Sequence, residues 1–208
     1  MSSLPRLLVV TDRRATARGR PLVEVIRAAL AGGARLVQLR EKDLEGRDLL
    51  GLAEALGAEC QPAGARLLVN ERIDVALAAG ADGVVLPADS FPPRVARRLL
   101  GPTKLLARST HAASEIEQAA AEGADFVLFG PVYPTPSKSR FGPPQGLERL
   151  RTVSRLGIPV FAVGGITAEN AEQTIGAGAH GIAVIREVIA AADPQAATRS
   201  LLRSISVV

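Results

Sequence analysis

Four times along the chain an Ala-rich stretch with apolar residues at helical spacing runs into a Gly-Ala pair, and a short apolar run follows. The pairs are Gly33-Ala34 before LVQLR, Gly80-Ala81 before GVVL, Gly123-Ala124 before FVLFG and Gly178-Ala179 before GIAVI. Glycine supplies the left-handed stop that ends a helix, and the apolar run starts the next strand. Each junction is half of a βα repeat. Continuous apolar runs predict strands at residues 7–11, 36–40, 66–70, 83–86, 104–108, 126–130, 159–163 and 181–185, covered on both faces as parallel strands are. Helical patterns fill the gaps at about 21–32, 45–60, 72–79, 92–100, 113–122, 144–155, 168–177 and 194–205, with Pro21, Pro92-Pro93 and Thr167 in helix-opening positions. Eight such units with right-handed crossovers close into an α/β fold, a (β/α)8 TIM barrel, read as one domain over residues 1–208.

A length of 208 residues with 47% hydrophobic content suffices for one large core, and an aromatic content of 3% leaves helix-on-sheet packing to small side chains. No apolar stretch reaches the roughly 18 residues needed to span a bilayer, and residues 1–20 lack the apolar centre of a signal peptide. No membrane association and a cytoplasmic location are expected. The net charge is +4, but the arginines are dispersed without Lys-rich runs or interleaved aromatics. Pockets for anionic phosphates account for that charge more simply than nucleic acid does. Cys60, the single cysteine, ends a helical stretch and reads as an inert, half-buried thiol. Association into a homo-oligomer through barrel helices stays open.

In such a barrel the loops after strands carry the site and those before them stabilise the far end. His180, just ahead of the last strand, therefore reads as structural. Gly164-Gly165 follows strand seven and Ile185-Arg186 ends strand eight, which matches a barrel phosphate site built from free backbone N–H groups; a tight turn is the plainer alternative. Arg40 and Lys42 after strand two and Lys138 in the long loop after strand six ring one mouth, as a polyanionic ligand requires. Thr135 and Ser137, set among prolines in that loop, offer hydroxyl donors on a stiff backbone. Glu71 and Asp89 end strands three and four, where they either share Mg²⁺ bridged to phosphate or serve the helix starts that follow. His111 is the rim's one histidine, suited to moving a proton between substrate atoms while Ser109 orients the ligand.

Taken in order, VQLREK, LLVNERIDVALAAGADGV, STH, GPVYPTPSK, VFAVGGIT and GAGAHGIAV resemble segments of the thiamine phosphate synthase/TenI family over nearly the whole chain. The resemblance implies a TIM barrel of thiamine biosynthesis acting on a small phosphorylated thiazole. Such a family has two branches. A synthase joins hydroxymethylpyrimidine diphosphate to thiazole phosphate with Mg²⁺, and Gln38, Arg40, Lys42, Asn70, Ser109, Thr135 and Lys138 match its binding pattern. Its metal-binding Asp after Asn70 is here Glu71, and its usual His-Leu-Gly-Gln run reads Val85-Leu86-Pro87-Ala88. LPADSF at 86–91 and ARSTH at 107–111 look more like the TenI branch, which aromatises carboxythiazole phosphate by proton transfer. On those two stretches the chain is expected to be a thiazole tautomerase with His111 as proton carrier and no cofactor. The alternative is the Mg²⁺-dependent synthase, and a third reading is a non-catalytic phosphate-ligand binding or regulatory protein.

Overall fold

The computed structural model describes residues 4–135 and 143–206. Eight parallel strands close into a barrel in sequence order: β1 Leu7–Val10, β2 Leu36–Leu39, β3 Arg66–Asn70, β4 Gly83–Leu86, β5 Leu105–Thr110, β6 Phe126–Phe129, β7 Val160–Val163 and β8 Gly181–Val184. Closure is made by β1 on β8, with Leu8 opposite Ala183. Around the strands lie α1 Leu22–Ala31, α2 Gly46–Cys60, α3 Ile73–Ala78, α4 Pro93–Leu100, α5 Ala113–Ala121, α6 Gly146–Val153, α7 Ala171–Gly176, α8 Arg186–Ile189 and α9 Pro194–Ser206.

Successive strand residues alternate between two cores. Leu8, Val10, Leu36, Leu68, Val85 and Phe161 belong to the cluster inside the barrel, whereas Val9, Val37, Leu67 and Val69 belong to the layer beneath the helices. Both faces are dry, which is why the strands read as unbroken apolar runs. Phe126 and Phe161 fill the interior with ring centroids 5.0 Å apart, so the few aromatics are spent where a wide space must be closed. The glycine of each Gly-Ala pair is left-handed, with φ of 108° at Gly33, 66° at Gly80, 90° at Gly123 and 98° at Gly178.

The structure departs from the sequence pattern at four places. β5 runs on to Thr110 because Ser109 and Thr110 keep register with Leu128 and Phe129. Thr167 does not open α7: the N-cap is Asn170, whose Oδ1 accepts from the Thr167 N–H at 2.9 Å. Two 3-10 turns, Arg13–Ala15 and Ala17–Gly19, occupy the loop after β1. A single helical turn, α8, follows β8. His180 sits at the opposite pole from the loops after strands, its Nε2 donating to the Leu4 carbonyl at 3.1 Å and its ring 5.4 Å from that of Phe161. Among the described residues no helix is long and apolar enough to cross a membrane.

Candidate functional site

The alternation that fills the barrel also selects what reaches its mouth. Residues in phase with Leu36, Leu68 and Ala107 are Gln38, Asn70 and Ser109, one turn of pleat nearer the rim. Gln38 is 2% exposed; its Nε2 donates to Asn70 Oδ1 at 3.1 Å, while its Oε1 is buried with no partner among the described residues. An orphaned acceptor there calls for an N–H or O–H donor from a ligand or water.

Arg40 and Lys42 follow the end of β2, and Glu41 between them is 6% exposed and lines one cavity with Lys42, Asn70 and Glu71. Glu41 Oε1 accepts from Thr11 Oγ1 at 2.7 Å, and both its oxygens accept from the Arg13 backbone N–H at 3.0 and 3.1 Å. Arg13 Nη1 adds a bond to Glu41 at 3.2 Å and one to Asp43 at 2.6 Å. Thr11 Oγ1 in turn accepts from the Arg40 N–H at 2.9 Å. The sequence reading gave Glu41 no role. Its burial marks it as a charge needing a partner.

Glu71 and Asp89 are both exposed on neighbouring strand ends. Neither serves a helix: α4 is capped at Pro92 with no side-chain bond, and the acid in the first turn of α3 is Asp74. Glu71 has a left-handed φ of 63°, strain of about 1–2 kcal/mol for a residue with a Cβ, held by the Glu71 N–H on the Val85 carbonyl at 2.9 Å. It borders a cavity of about 210 Å³ together with Lys42, Asn70 and Arg72. Among the described residues no three His, Cys, Asp or Glu side chains cluster as a metal cage. Two hard carboxylate oxygens fit Mg²⁺ nonetheless, since that ion is commonly held by one or two carboxylates plus substrate phosphates and water.

Arg108 donates from Nη2 to the Ala88 carbonyl at 2.8 Å and from Nη1 to that of Phe91 at 3.2 Å, clamping the turn that carries Asp89. LPADSF and ARSTH are therefore one bonded unit, a single feature of this chain. His111 is exposed, and its Nδ1 lies 2.6 Å from the Gly130 carbonyl. A carbonyl only accepts, so Nδ1 carries the proton and Nε2 of the neutral ring is the acceptor left for a ligand.

Gly164 and Gly165 have φ of 97° and 66°. A Cβ on Gly164 would lie 2.6 Å from Pro131 Cβ, and one on Gly165 2.6 Å from the Pro134 carbonyl. The diglycine is thus also the seat of the loop after β6, a steric role the sequence reading did not include. Of the N–H groups that follow, Thr167 is bonded to Asn170 and Ala168 to Glu187 at 3.4 Å. Those of Gly165, Ile185 and Arg186 stay at the rim, where α8 opens directly after β8. Thr135 is described in the loop after β6; Ser137 and Lys138 lie outside the described residues.

A family model described as thiamine monophosphate synthase matches residues 7–188. A putative thiamine-phosphate synthase of Geobacter sulfurreducens is 51% identical over 197 residues, covering 94% of this chain and 92% of that protein. A thiamine-phosphate synthase of Roseiflexus castenholzii is 46% identical over 194 residues, covering 93% of this chain and 85% of that protein. Among solved structures, a thiamine phosphate pyrophosphorylase from Pyrococcus furiosus matches with a TM-score of 0.88 at 36% identity, over 97% of this chain and 95% of that one. These names fall on the synthase side and lend no support to the TenI preference.

Proposed function

The chain belongs to the thiamine monophosphate synthase family, enzymes of thiamine biosynthesis, and from that premise we propose that it condenses hydroxymethylpyrimidine diphosphate with thiazole phosphate and releases diphosphate. The observation that carries this reading is the presence of two anion-receiving regions on one rim. Arg40 and Lys42, whose side chains have no partner among the described residues, form the first; the backbone N–H groups of Gly165, Ile185 and Arg186 form the second. A condensation of two phosphorylated substrates needs two such regions, and a pair of cations in the first suits a diphosphate better than the lone carboxylate of a carboxythiazole phosphate.

In the reaction the pyrimidine methylene forms a bond to the thiazole nitrogen as its C–O bond breaks, and diphosphate leaves with the electron pair. Arg40 and Lys42 stabilise the charge that grows on the leaving group. Gln38 and Asn70 orient the pyrimidine through their paired amides, and the β7–β8 rim holds the thiazole phosphate. Glu71 and Asp89 would hold Mg²⁺, which supplies further neutralisation of the diphosphate when bound. Ser109, Thr135 and Lys138 take the substrate-binding roles that the family resemblance implies, and Ser137 offers a further hydroxyl donor.

One observation favours a second reading. The His111 tautomer, fixed by Gly130, leaves Nε2 as a base at the rim, which suits proton transfer on a carboxythiazole phosphate. Following diphosphate release from both substrates with Mg²⁺, beside thiazole aromatisation without it, separates the two. Stoichiometric diphosphate is expected. Aromatisation with no diphosphate under any divalent cation would overturn the proposal in favour of the tautomerase.

A further inference from the structure

The cation pair proposed for the leaving group sits in a segment, Arg40 to Asp43, whose own formal charges cancel. What leaves it positive is a second pair of arginines from the loop after β1. Arg13 forks both oxygens of Asp43, at 2.6 and 2.5 Å, and also reaches Glu41 at 3.2 Å. Arg14 joins Asp43 at 2.6 Å. The Arg13 guanidinium, committed to these two acids, is not offered to the mouth.

Resting on the synthase reading, we infer that Arg13 is a positioning residue for diphosphate: it neutralises Glu41 and Asp43 and pins the strand end, so that Arg40 and Lys42 meet the anion with uncompensated charge. Two kinds of bond serve this. The backbone link runs from the Arg40 N–H through Thr11 Oγ1 to Glu41 and back to the Arg13 N–H, a closed chain between two loops. The electrostatic link is the quenching of the acids. Asp43 is held down to about pKa 2, chiefly by its hydrogen bonds from Arg13, so it stays charged and needs its arginine partners at every working pH.

The test is calorimetric binding of inorganic diphosphate with Mg²⁺ at low salt, where exposed charges are least screened. Wild-type protein that binds no diphosphate would sink the synthase reading itself. Given wild-type binding, Arg13→Ala is expected to weaken diphosphate by about tenfold, equivalent to about 1.4 kcal/mol. The KM for the pyrimidine diphosphate should rise in step while that for thiazole phosphate changes less than about twofold. Adding Asp43→Asn to Arg13→Ala should recover a large part of the loss, because the unquenched acid is then gone. Unchanged diphosphate affinity in folded Arg13→Ala, or a loss that Asp43→Asn leaves untouched, overturns the inference. Should Arg13→Ala fail to fold, Asp43→Asn alone decides: diphosphate binding as tight as wild type or tighter supports the inference, and weaker binding overturns it.

Discussion

At the end of α2 the Cys60 side chain is 2% exposed. Burial first, then the charges of Asp82 and Glu59, push its thiol up to about 12 from an ordinary value near 9. A group whose folded pKa is raised stabilises the fold fully below its unfolded pKa, and that contribution disappears as pH rises through the folded value. The window here is about pH 9 to 12. At pH 8 an alkylating reagent is expected to leave native protein unmodified and active, and to label Cys60 fully once the chain is unfolded. Inactivation in step with native labelling would restore Cys60 as a candidate nucleophile. Glu41 shows the other way to bury an ionisable group: hydrogen bonds from the Thr11 hydroxyl, the Arg13 backbone N–H and the Arg13 guanidinium take the place of water.

Among the elements, two of the Gly-Ala junctions are followed by Asp and do more than stop a helix. Asp82 accepts from the Leu67 N–H at 2.7 Å, and Asp125 from the Leu106 N–H at 2.7 Å, so each acid ties the start of the preceding strand to the start of its own. Asp82→Ala and Asp125→Ala should each lower unfolding free energy by about 1–2 kcal/mol, read in denaturant melts, with kcat unchanged. All eight strands were legible in the sequence because each is buried on both faces, a signal that needs no knowledge of the partner strand. The 3-10 turns and α8 were not, since three or four residues carry no period. Rim positions were legible wherever a strand end delivers them, as with Gln38, Asn70 and His111. The Arg13 bonds to Glu41, 28 residues apart, and the seating of Pro131 on Gly164 were not, because only the pairing of β1 with β2 and of β6 with β7 brings those loops together.

Over the whole molecule the two ends of the barrel divide the work, and the two histidines report on the division. His111 stands at the carboxyl end of β5, exposed, with Nδ1 on the Gly130 carbonyl. His180 stands at the amino end of β8, its ring against Phe161 and its Nε2 on Leu4, bridging the chain's first described residue to its last strand. Removing the His180 ring forfeits an aromatic contact and a hydrogen bond, about 1–2 kcal/mol together, far from any substrate. Removing the exposed His111 ring costs stability less than about 0.5 kcal/mol but takes the titratable group from the mouth. His180→Ala is therefore expected to lower the melting temperature with kcat unaltered, and His111→Ala to keep the melting temperature and leave diphosphate release largely intact on the synthase reading, whereas the tautomerase reading expects aromatisation to fall at least about tenfold. The pair is measured together, by thermal unfolding and steady-state kinetics on the same preparations. If His180→Ala slowed turnover without destabilising, its assignment to stability would fail, and if His111→Ala abolished diphosphate release, the condensation that uses no proton carrier there would fail.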